Sequence, residues 1–376
     1  MPKTIIDLHL IQTVPPSNLN RDDTGSPKSA VFGGVRRARV SSQAWKHAVR
    51  EAFKKDLNPT ELGTRTKRVV ELLSVHLAEI VPDATDQEIQ KYAEKAIAAT
   101  GIKIKEPKNK TGAKESGYLL FLSNQQINAL ANLASEALLD QSDVDKRAAQ
   151  GLVKGKNSLD IALFGRMVAD VTDLNVDASC QVAHALSTHA VETEYDYFTA
   201  VDDVKAEDED EDAGAGMIGT VEFNTATLYR FATIDVGELN HNLGDNQATV
   251  TAITAFIDAF VKSMPTGKQN TFANRTLPDV AIICVRDDRA ISWVGAFEEP
   301  VVAGAQGGIV NQSSAKLVDY ANDLASTYGS PPIACFTTGV GAAGETVAAL
   351  GEALPFDETV DAVASLVSQR LSGPVS

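Results

Sequence analysis

The chain of 376 residues carries 50 acidic and 34 basic side chains, a formal net charge of −16, and is 44% hydrophobic. This length accommodates two or three domains, or one with large insertions, and a core that needs no disulfide or metal staple. Three cysteines, at 180, 284 and 335, exclude a disulfide framework and any CxxC zinc or redox centre, and the −16 argues at face value against a polyanionic partner.

The elements follow in chain order. The opening MPKTIIDLHLIQTV lacks the basic start and cleavage site of a signal peptide, and its residues 4–14 read as a strand. A Pro/Asn/Asp/Gly-rich loop follows, then Gly33-Gly34 and RRARVSSQAWKHAVREAFKK. If residues 36–40 are extended, Arg37 and Arg39 share one face while Ala38 and Val40 turn inward. Ser41 or Ser42 is an N-cap for a helix to about Lys55, with Trp45, Ala48, Val49 and Ala52 as its buried stripe. Gln43, Lys46, Arg50 and Lys54 run down another face. Amphipathic helices are expected near 60–80, 86–99 and 124–139, interrupted by a solvated Lys/Gly loop at 103–117, so that 59–165 forms a helical insertion. Tyr195, Tyr197, Thr199 and Val201 alternate as a strand, and a second strand pattern runs from Val221 to Phe231. Together they predict a long hairpin over 192–233 with the acidic tract Asp202–Asp212 at its tip. A helix at about 247–263, a buried strand at 280–286 and alternating helix and strand to the end complete the chain, with no fixed-period repeat. The longest clean apolar run, Val280–Val285, is far below the ~20 residues of a membrane span, so a cytoplasmic, soluble protein without membrane contact is expected. The order strand, helix, insertion, hairpin, helix, strand suits an α+β, ferredoxin-like core with discontinuous segments 1–58 and 166–376.

The average charge hides two opposed segments. Residues 21–55 hold nine basic and three acidic side chains, whereas 202–212 hold eight acids and one lysine. At a Debye length of ~8 Å these do not cancel unless they lie close together. Arginines on a strand edge, hydroxyls at a helix start and a Lys/Arg stripe could hold successive phosphates; an ordinary solvated basic face is the alternative. The loop Lys268-Gln269-Asn270 offers one cation and two amides, or is a plain polar turn. Aromatics at 195–198 could stack on bases or form cross-strand pairs. Gly339–Gly344 matches GxGxxG, but only 32 residues remain after it, too few for a dinucleotide fold, so a close strand–helix turn explains it more simply. His184 and His189 are five apart and miss the i, i+4 spacing of HExxH sites. Asp22-Asp23 is the acidic pair within the basic segment and is either a loop-shaping pair or part of a metal site for phosphodiester cleavage.

The stretch NLNRDDTGSPKSAVFGGVRRARVSSQAWKHAVR closely resembles the N-terminal signature of backbone (CasC-type) subunits of type I-E CRISPR Cascade complexes. SLDIALFGRM at 158–167, AHALSTHAVETEYDYFTAVDD at 183–203, GTVEFNTATLYRFATI at 219–234 and PTGKQNTFA at 265–273 continue the resemblance in order. It implies an RRM-like palm, a helical fingers insertion and a β-hairpin thumb, with several copies forming a filament along the crRNA. It also implies a non-enzymatic scaffold without cofactor or metal, partnered by other Cascade subunits and by the target DNA strand that pairs with the guide. Arg21, Lys28, Arg37, Arg39, Ser41, Gln43, Lys46 and Arg50 are then expected around the guide backbone. Arg166 and Met167 are expected near a kinked base, Phe198 and Thr199 on the thumb, and Lys268 and Gln269 on a palm loop. The rival implied by related type III subunits is a metal-dependent ribonuclease using Asp22 or Asp23.

Overall fold

The computed structural model describes residues 2–108, 111–200, 217–304 and 308–373. The acidic tract Asp202–Asp212, and with it the expected hairpin tip, lies outside the described residues. The chain begins with β1 (Ile5–Ser17), β2 (Ser29–Phe32), β3 (Val35–Val40) and helix α1 (Ser42–Asp56). Next come β4 (Gly63–Thr66), α2 (Val69–Ile80), α3 (Asp86–Ala99), the short pair β5 (Ile104–Lys105) and β6 (Glu115–Ser116), β7 (Leu120–Ser123), α4 (Asn124–Leu139), α5 (Lys146–Lys154) and α6 (Leu159–Phe164). β8 (Cys180–Val182), β9 (Ala185–Ser187), β10 (Glu194–Ala200) and β11 (Met217–Asp235) are followed by α7 (Val236–Leu243), α8 (Asn246–Lys262) and α9 (Gln269–Phe272). The chain closes with β12 (Val280–Arg286), α10 (Ile309–Tyr328), β13 (Ala334–Gly339), α11 (Gly341–Val347), β14 (Glu352–Ala353) and α12 (Phe356–Ser372).

One large sheet runs β14-β13-β12-β1-β11-β9-β3-β2, with β8 and β10 also paired to β11. β1 lies at its centre, antiparallel to β12 on one side and β11 on the other. Alternation along β1 assigns its two faces. Ile6, Leu8 and Leu10 join Val49 and Phe53 of α1, Phe256 and Phe260 of α8 and Val363 of α12 in one core. On the other face Ile11 packs with Tyr229, Ile282, Trp293 and Leu317 of α10. A second, separate core is built from residues 69–174 alone, by α2, α3, α4 and their neighbours. The N-termini of α3 and α4 obey local rules: Thr85 closes a capping box with Glu88, and Ser123 closes one with Gln126.

The expected helix at 42–55 is present, with Trp45, Ala48, Val49 and Phe53 buried and Ala52 partly so. Burying each of its large apolar side chains contributes about 1.5–3 kcal/mol. The solvated loop at 103–117 contains the β5–β6 pair. His184 and His189 lie beside strands, not on a helix. Cysteine spacing gave no hint of one bond: Cys284 and Cys335, 51 residues apart, face each other across β12 and β13 and form a disulfide, while Cys180 is free and buried. No helix among the described residues is long and apolar enough to cross a membrane.

Candidate nucleic-acid interface

Helix α1 carries the centre of the basic segment, and buried chemistry fixes its pose. Ser41 caps it, accepting from the Ala44 amide at 3.3 Å, while the Ser41 amide donates to Asn20 Oδ1 at 2.9 Å and ties the loop before β2 to the helix start. Beneath the helix the guanidinium of Arg230 lies 3.7 Å from the Trp45 ring centroid and 4.5 Å from that of Phe260. It donates to Gln12 Oε1 at 2.6 Å and to the Phe260 carbonyl. Burial pushes its pKa down to about 9. The first turn of α1 holds no acidic side chain, so its positive helix end has no internal counter-charge.

Gln43, Lys46 and Arg50, one turn apart, line a groove of about 830 Å³ between α1 and the insertion. Arg65 of β4 and Tyr118 and Met167 of the insertion side complete its walls. Lys46 Nζ sits 5.4 Å from the centroid of the Phe164 ring, which supports its stem. Desolvation and the neighbouring Arg65 lower the Arg50 pKa, with Asp160 and Glu51 opposing. Cations gathered this way repel one another until an anion enters. Sequence spacing did not point to Arg65, because β4 is brought to α1 only by the fold.

Met167 is 83% exposed, and its neighbour explains why. Arg166, expected at the interface, is among the residues lining the groove, but its guanidinium is turned inward, donating to the carbonyls of Leu174 (2.7 Å), Val153 (3.2 Å) and Phe121 (3.4 Å) and to Gln126 Oε1 (3.2 Å). Desolvation lowers its pKa to about 10. The arginine thus anchors the turn that pushes Met167 outward. Arg37 is corrected in the same way. It does share the parity of Arg39, but loop 297–298 covers that face, and its fully buried guanidinium donates to the carbonyls of Phe32, Ser187, Thr188, Phe297 and Glu298. Gly33 permits this closure, at φ +59° with the Glu298 carbonyl where a Cβ would stand.

A second basic group lies at the edge of β3. Arg39 donates from Nε to the Ser29 carbonyl at 3.3 Å, and its Nη1 lies 3.2 Å from His184 Nδ1; half-buried Lys28 is beside them. Arg21 is exposed on the adjoining loop. There Asp22 shapes the turn: its Oδ1 accepts from the Thr24 hydroxyl (2.7 Å) and from the Thr24 and Ser26 amides (both 3.0 Å), which hold the carboxyl below its usual range. Among the described residues no three His, Cys, Asp or Glu side chains cluster to share a metal ion.

Lys268 takes a left-handed φ of 52°, and Gln269 Oε1 accepts from Arg275 at 2.7 Å. Gly267 backs directly onto the Leu19 carbonyl, leaving no room for a Cβ. This loop therefore packs under residues 18–20, and Phe272 meets Phe223 at the hairpin base, 5.7 Å between ring centroids. Phe198 and Thr199 are exposed farther along the hairpin, the Phe198 ring lying across Gly219. At Gly339–Gly344 the two terminal glycines touch backbone to backbone at a strand–helix turn, as the simpler reading of that motif expects.

Comparisons with known proteins add to this geometry. Residues 6–362 match the model of the CT1975-like protein family. Among solved structures, the chain is similar to one described as a CRISPR RNA-guided surveillance complex, pre-nicking, with a TM-score of 0.86, 33% identity and coverage of 96% of this chain and 100% of that one. It is also similar to a second CRISPR RNA-guided surveillance complex chain, with a TM-score of 0.75, 29% identity and coverage of 96% and 99%. A search of curated protein sequences gives no significant match. With the family model spanning nearly the whole chain and both structures matched end to end, the chain belongs to the CT1975-like protein family of Cas proteins.

Proposed function

We propose that this protein is a crRNA-binding backbone subunit of a type I-E CRISPR surveillance complex, a scaffold without catalysis of its own. The observation that carries the reading is the groove in which Lys46, Arg50 and Arg65 gather in a protein of net charge −16. Such a surface grips phosphate and sugar, so sequence specificity falls to base pairing between the guide and a DNA strand. Exposed Met167 beside the groove gives an apolar surface for a base. The description of both similar structures as CRISPR RNA-guided surveillance complexes supports crRNA and other Cascade subunits as partners.

The same reading assigns roles to the parts. Strands β12-β1-β11-β8 with α1 and α8 on one face make an RRM-like palm, the core of residues 69–174 makes the fingers, and β10–β11 makes a thumb that reaches a neighbouring copy. Arg21, Lys28, Arg39, Ser41, Gln43, Lys46, Arg50, Lys268 and Gln269 hold the guide backbone. The test is purification of the protein from cells expressing its CRISPR array. Bound RNA of uniform length, released with a salt dependence of ~0.7 log units per phosphate contacted, is expected. Protein that carries no RNA, or binds one short sequence independently of salt, overturns the reading.

A further inference from the structure

His184 occupies the short link between β8 and β9 and is exposed. Its Nδ1 lies 3.2 Å from Arg39 Nη1. A guanidinium has donors only, so Nδ1 must accept, and this fixes the imidazole as the neutral tautomer with its proton on Nε2. Partial desolvation lowers the pKa of the ring below its ordinary range, and the charged groups acting on it, Arg39 on β3 and Lys28 on the loop before β2, are both cations and lower it further. The link thus sets a neutral N–H donor beside two cations.

We propose that His184 is a phosphodiester-binding residue of the guide track, donating Nε2–H to a phosphate oxygen held by Lys28 and Arg39 and taking up a proton as the anion arrives. The inference rests on the guide-binding reading above. An anion beside the ring favours the imidazolium, opposing the two cations. Once protonated from solvent, Nδ1 carries hydrogen and no longer accepts from Arg39, whose Nη1 donor is released to the phosphate. The histidine therefore exchanges its arginine contact for a shared anion. The bound ring has the higher pKa, so affinity rises as pH falls through the interval between the free and bound values, and is flat above it.

The probe is a short oligouridylate titrated calorimetrically into the full-length protein at about pH 6, in two buffers of different ionisation enthalpy. Wild type is expected to take up a fraction of a proton for each bound phosphate at this position. H184A should bind about three- to tenfold more weakly, the worth of one charge-assisted hydrogen bond at an open site, with that uptake lost. H184Q, which keeps a donor that does not titrate, should recover part of the affinity and none of the uptake. If both variants keep wild-type affinity and proton uptake while wild type binds with its normal salt dependence, this inference alone is overturned. If wild type binds no oligouridylate at low salt, the guide-binding reading fails and takes the inference with it.

Discussion

Arg37 and Lys46 lie nine residues apart in one basic segment, yet the structure gives them opposite consequences on substitution. Arg37→Ala removes a guanidinium that donates to five carbonyls from three separate parts of the chain: the β2–β3 turn, the end of β9 and residues 297–298. Each buried carbonyl left without a donor costs about 1–3 kcal/mol, with some recovered by relaxation and entering water. Losses at several carbonyls together place the expected destabilisation at about 3–5 kcal/mol, in line with breaking a buried charged network. Arg37→Lys, with three donors and no planar fork, should recover only part of it. Lys46→Ala removes a groove-lining side chain supported by the Phe164 ring and should cost no more than ~1 kcal/mol. Urea melts compared with the salt dependence of oligouridylate binding separate the two. Arg37→Ala should shift the melt and keep the salt slope of the folded protein, while Lys46→Ala should keep the melt and lower the slope by ~0.7. An Arg37→Ala protein that melts like wild type but loses salt-dependent binding would refute the assignment of Arg37 to the interior.

Lys46→Glu combined with Arg65→Glu reverses two charges on opposite walls of the groove; guide retention should collapse while melting stays within ~1 kcal/mol of wild type, as measured by RNA co-purification and thermal denaturation. Asp7 is buried and its carboxyl is raised to about 6, chiefly by desolvation. Its ionised form is therefore penalised in the folded state, and stability falls as pH rises from about 4 to about 6, by up to ~3 kcal/mol. Asp7→Asn should be more stable than wild type at pH 8 and equal to it near pH 4; a pH-independent difference would contradict this. The scaffold reading further predicts that assembled complexes given Mg²⁺ or Mn²⁺ leave bound RNA intact. Metal-dependent cleavage abolished by Asp22→Ala or Asp23→Ala would install the ribonuclease reading in its place.

Periodicity made the elements legible wherever one face of an element is buried. The α1 stripe, the helices at 86–99 and 124–139 and the strand at 280–286 follow from spacing, and the structure places them within a residue or two. Charge is harder to place, because a basic side chain looks the same whether water or five carbonyls surround it. The parity of Arg37 is right, but its cover arrives from residues 297–298, some 260 positions later. Arg166 likewise vanishes beneath Phe121, Val153 and Leu174. The converse error has the same cause: Arg65 and His184 carry no local signal and join the basic surface only through β4–β7 pairing and the β8–β9 link. The Cys284–Cys335 bond depends on β12–β13 register, which no single strand encodes.

β11 is one strand of 19 residues, roughly 60 Å of chain, and it belongs to two structures at once. Its first part pairs with β10 in the hairpin, and from Ala226 to Asp235 it lies against β1 in the middle of the sheet. Ladder bonds run perpendicular to the strands. A pull along the hairpin therefore loads the whole β1–β11 ladder in shear, every rung sharing the force. A sideways push instead concentrates force at the register shift between Val14 and Ser17, where the regular ladder is interrupted before Ser17 pairs again with Asn224, and rungs there yield one at a time. The hairpin is consequently a directional tether, stiff in tension along its axis and compliant across it, with its fulcrum at that shift.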